Sequence, residues 1–118
     1  MNILTTVAIS IVIVLHVLFL ILEMFMWNTP FGRKTFGLKE DYARQSAPLA
    51  ANQGLYNGFL AAGLLWGLVS TGGFDALVFF LSCIIIAGIY GGLTAKRSIL
   101  WLQAFPAAIA LALLILNL

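Results

Sequence analysis

From Ile3 to Trp27 the chain carries one carboxylate, Glu23, one imidazole, His16, and no Lys, Arg or Asp. A helix rises ~1.5 Å per residue, so this run can cross a hydrocarbon layer of about 30 Å with some tilt. Three further apolar runs follow it, and the whole chain shares the bias: 63% of its 118 residues are hydrophobic and 8% are charged. Soluble domains average about 45–50% apolar and about 25% charged residues. That composition excludes a soluble globular enzyme, a nucleic-acid-binding domain and a disordered tail. It predicts an all-α polytopic membrane protein.

The expected spans are residues 3–27, 47–69, 74–93 and 99–116, in one antiparallel four-transmembrane-helix bundle that forms a single domain. The first could be a signal peptide, but it lacks a basic start and a small-residue cleavage site, so it reads as a retained helix. Asn28-Thr29-Pro30 ends it, because a proline disfavours helix in the residue before it. Residues 28–46 form a polar loop whose Phe31, Phe36, Leu38 and Tyr42 suggest that it lies along the headgroups. Ser46 is the expected N-cap of the second span, with Pro48 in its first turn. The lone Cys83 excludes an intrachain disulfide and a cysteine-rich metal site, and reads as a small apolar residue.

Orientation follows from the basic residues, which stay cytoplasmic. All six lie in two loops, Arg33, Lys34, Lys39 and Arg44 after the first span, Lys96 and Arg97 after the third. With four spans both termini are then extracytoplasmic. Trp27, Trp66 and Trp101 fall near the expected ends of their spans, as interfacial tryptophans do. Close helix contacts are expected through Gly54/Gly58, Gly63/Gly67, Gly88/Gly92 and Ala104/Ala108/Ala112, because small residues let backbones approach in lipid.

Polar groups at membrane depth are costly and mark candidate sites. On a helical wheel Thr5, His16 and Glu23 fall within about 20° of one another, and Trp27 continues the stripe. On the second span Asn52, Gln53, Tyr56 and Asn57 share an arc of about 140°, opposite Leu55, Phe59, Ala62 and Trp66. By depth Glu23 matches Asn52 and Gln53, whereas His16, about 10 Å further in, matches Asn57. Tyr90 and Gln103 lie toward the same side. The set predicts a polar pocket open to the cytoplasm. The bland alternative is that these groups bond across helices as internal glue.

His16-x6-Glu23-x3-Trp27, Phe36-Gly37-Leu38 and Asn52-Gln53-Gly54-Leu55-Tyr56-Asn57-Gly58 together resemble the small bacterial four-helix membrane proteins of domain-of-unknown-function family 1304. The resemblance covers nearly the whole chain. It implies a multi-pass protein of the bacterial cytoplasmic membrane, and no chemistry.

Three functions compete. A binding or translocation module would hold a small amphipathic molecule, a lipid or a proton at His16, Glu23, Asn52, Gln53, Tyr56, Asn57, Tyr90 and Gln103, with transport needing a homodimer. A membrane-embedded acid–base enzyme, isomerase-like, would use His16 or Glu23 as general acid or base. A structural or assembly protein would use the polar groups as glue. Membrane lipids are the expected partners. No nucleic-acid partner, cofactor or metal site is expected, since one His and one Glu without a third close ligand do not hold a metal.

Overall fold

The computed structural model describes residues 1–116, and every regular element among them is helical. Asn117, Leu118 and with them the expected extracytoplasmic C-terminus lie outside the described residues. The elements are α1 (Ile3–Phe25), α2 (Pro30–Phe36), α3 (Glu40–Val69), α4 (Phe74–Thr94), a π-helical turn (Leu100–Ala104) and α5 (Phe105–Leu116). The chain divides into two compact units, Met1–Leu15 with the chain from Leu60 onward, and His16–Phe59.

In the first unit, Asn2 caps α1: its side-chain oxygen accepts the Thr5 N–H at 2.9 Å, as an N-cap side chain does. The fully packed cluster is Ile9 and Val12 of α1, Leu64 of α3, Leu77, Leu81 and Ile84 of α4, and Ala107, Ala110 and Leu114 of α5. Helix approach is set by glycine. A methyl group at Gly63 would meet the Phe80 ring at 2.5 Å, and one at Gly88 would lie 2.6 Å from the Ala104 backbone nitrogen.

On α5 the small-residue stripe differs from the expected one. Ala104, Ala107 and Ala110 are buried, whereas Ala108 and Ala112 are exposed. At 100° per residue Ala107, Ala110 and Leu114 lie to one side of Ala104 and Ala108 and Ala112 to the other, and the first side is the packed one. The Phe105 N–H reaches back to the Leu100 carbonyl. Pro106 has no N–H to continue the ladder.

Two features of the second unit depart from the expected polar loop over 28–46. Residues Pro30–Phe36 form α2, capped by Thr29, whose hydroxyl accepts the Gly32 N–H at 3.1 Å. Gly37 closes it in the left-handed region at φ 66°, with the Leu38 N–H on the Arg33 carbonyl at 2.8 Å. That conformation suits glycine. The following helix starts at Glu40, about two turns before the expected 47, with Glu40 and Asp41 at its positive N-terminal end. Ser46 is therefore inside α3 and not its cap, and Pro48 lies within the helix.

Helices α1 and α4 are each long and apolar enough to cross a membrane, and only 22% of each apolar stretch is buried. The core helix of a soluble protein would be mostly buried. Val7, Ile11, Val14, Leu18, Ile21 and Phe25 are all exposed along α1.

Candidate functional site

Within the second unit α1 and α3 meet at Gly54 and Gly58. A methyl group at Gly54 would lie 2.7 Å from Met24 Cγ, 3.0 Å from Glu23 Cβ and 3.2 Å from the Leu20 carbonyl oxygen, and one at Gly58 would meet Leu20 Cδ1 at 2.6 Å. Small residues let the two helices approach this closely. The approach places the Glu23 carboxylate against α3, where Asn57 Nδ2 donates to Oε1 at 2.5 Å. Asn57 is buried and Glu23 half-buried.

This pairing differs from the depth match read from sequence, which set Glu23 beside Asn52 and Gln53. The pairing lies about one helical turn further along α3, because α1 seats on the Gly54–Gly58 ridge and Asn57 lies on that same ridge face.

His16 is fully buried, with the Phe19 ring edge-on to it at a centroid distance of 5.2 Å. It shares a stripe of α1 with Glu23 but lies about 10 Å along the axis from it. Thr5, further along that stripe, is fully buried in the first unit, and among the described residues its Oγ1 has no hydrogen-bond partner.

At the other end, the Trp27 indole N–H donates to Ser46 Oγ at 2.9 Å, while the Ser46 hydroxyl donates to the Tyr42 carbonyl at 2.6 Å. The Phe36 ring lies 4.8 Å from that of Trp27. Trp27 thus ties the end of α1 to both α2 and α3. Sequence reasoning missed Ser46 in this role, since an Nε1–H needs an acceptor but spacing does not name it.

The remaining candidates are more open. Asn52, Gln53 and Tyr56 are exposed, although the sequence places them on one inward arc with Asn57. The ridge that α1 occupies runs through Gly54 and Asn57, leaving the other three on the uncovered flank of α3. Tyr90 is exposed and Gln103 half-buried, both in the first unit. Among the described residues no three His, Cys, Asp or Glu side chains group closely enough to hold a metal.

Comparison with known proteins agrees on one lineage. No solved structure matches the chain. It is 31% identical over 110 residues to the uncharacterized protein YpaA of Lactococcus lactis subsp. lactis (strain IL1403), covering 90% of this chain and 92% of that protein. The model of DUF1304, described as a protein of unknown function, matches residues 10–115 and so takes in His16, Glu23 and Asn57 together. On that match the chain belongs to the DUF1304 family.

Proposed function

We propose that this protein crosses the bacterial cytoplasmic membrane four times, with both termini outside, and binds a small amphipathic or lipid-like molecule at Glu23, Asn57 and His16. The observation that carries this reading is the Glu23–Asn57 hydrogen bond. It holds a carboxyl group in a fixed place between two helices, and in a membrane-spanning pair such a group would be costly unless it served a purpose. Asn57 engages one carboxylate oxygen. A ligand hydroxyl or ammonium would bond the other, and His16, deeper along the same stripe, would meet its middle portion.

Exposed apolar side chains along α1 support the membrane setting, because contiguous apolar surface on this scale marks contact with lipid or a partner. In this reading the four spans would be α1, the part of α3 beyond about residue 47, α4, and the π-turn with α5, whose bounds as helices are given above.

Native mass spectrometry of the detergent-purified protein tests the binding role. A co-purified lipid or metabolite is expected on the wild type and is lost in Glu23→Gln and in His16→Ala, with both variants still folded. Collapse of thermal stability in both, with nothing bound to the wild type, would instead identify the polar groups as interhelical glue.

A further inference from the structure

Along α3, Gln45, Leu49, Asn52, Tyr56 and Phe59 follow one another at alternating steps of four and three residues, and all five are exposed. At 100° per residue they fall within an arc of about 80°, in which Phe59 lies about 20° from Asn52 and so borders the polar arc instead of opposing it. A strict 3.5-residue repeat is the seam of two helices that wrap each other. The other side of α3 is already occupied, since Gly54 and Asn57 face α1.

We propose that this exposed face of α3 is the interface of a homodimer, in which Asn52 pairs with Asn52 of the partner subunit. The proposal rests on the membrane-spanning reading above. All copies inserted in a membrane share one orientation, so a two-fold axis between two of them lies along the membrane normal. Identical residues of the two α3 helices then meet at equal depth. A seam residue that meets itself must be self-complementary in charge. An amide is: its NH2 is partially positive, its C=O partially negative, and each satisfies the other's partner.

Lipid chains offer Asn52 neither donor nor acceptor. It lies about 8 Å inside the start of the span at 47. A single Asn at such a seam sets register and favours one oligomeric state. Below it the Tyr56 and Phe59 rings stand edge to face, 5.7 Å apart at 83°, as an exposed ridge of the kind that packs in the same seam.

The test is made in native membranes with the full chain carrying Cys83→Ser. Asn52→Cys is expected to give a disulfide-linked dimer on copper-catalysed air oxidation, whereas Val14→Cys, exposed on α1, gives none above background. In lipid vesicles, Asn52→Ala, on an exposed position and with wild-type helicity, is expected to weaken self-association by about tenfold in a fluorescence-transfer dilution series. Protein that is membrane-embedded yet monomeric at every protein-to-lipid ratio would overturn the interface alone. So would a dimer in which Asn52→Cys crosslinks no better than Val14→Cys. Recovery in the soluble fraction would overturn the membrane reading, and the dimer with it.

Discussion

One short hydrogen bond carries most of what is specific at residue scale. Asn57 is the buried partner of a carboxylate, so removing it leaves Glu23 with a desolvated oxygen and no donor there. Asn57→Ala is expected to lower stability by about 1–3 kcal/mol in a reversible detergent unfolding series. Asn57→Asp should cost more, since two carboxylates would then face one another. A double-mutant cycle with Glu23→Gln should return a coupling of about 0.6–2 kcal/mol, and a coupling near zero would mean that the two groups do not depend on each other. Thr5 makes the opposite case. Its buried hydroxyl has no partner among the described residues, so Thr5→Val, similar in shape, is expected to raise stability by about 1 kcal/mol by the same measurement.

Glycine contacts set the approach of neighbouring elements, and they differ in kind. At Gly88 an added methyl meets backbone, 2.6 Å from Ala104 N and 2.9 Å from Ala104 Cα. Neither atom can turn aside, so Gly88→Ala is expected to cost about 1–3 kcal/mol as α4 and the π-turn are forced apart. At Gly72 a methyl meets nothing within 4 Å, but the backbone is left-handed at φ 74°. Gly72→Ala should cost about 1–2 kcal/mol through conformation alone, and Gly72→Asn less, because Asn tolerates that region better than Ala. Thermal unfolding of the three variants checks the order.

The long helical runs were legible from hydropathy because unbroken apolar segments of this length are local features of the sequence, and two of them, α1 and α4, are long and apolar enough to cross a membrane. The α5 face was not. Steps of four residues drift by about 40° each, so Ala104, Ala108 and Ala112 turn away from the side that Ala107, Ala110 and Leu114 bury. The early start of α3 was also hidden, since Glu40–Ser46 is polar and a hydropathy boundary ignores helix that continues beyond the apolar run.

For the whole molecule the distribution of basic residues makes the sharpest statement. Arg33, Lys34, Lys39, Arg44, Lys96 and Arg97 lie in two segments, while the Ser70–Gly73 turn holds none. On a Cys83→Ser background, a membrane-impermeant maleimide is expected to label Ser70→Cys in intact cells and Ser98→Cys only after permeabilisation. The reverse pattern would overturn the orientation. Moving two basic residues into the Ser70–Gly73 turn should weaken or mix the labelling pattern, as positive charge resists translocation.

Composition and spacing by themselves determined that this chain is helical, how many long apolar segments it has, and that His16, Glu23 and the Asn52–Asn57 cluster carry its scarce polarity. They could do so because period and hydropathy are local properties of a chain. Which polar residue faces which was decided only in the tertiary structure. A wheel and a depth scale leave one turn of register free, and the close seat of α1 on Gly54 and Gly58 removes that freedom. That seat turns Asn57 toward Glu23 and leaves Asn52 on the outer face.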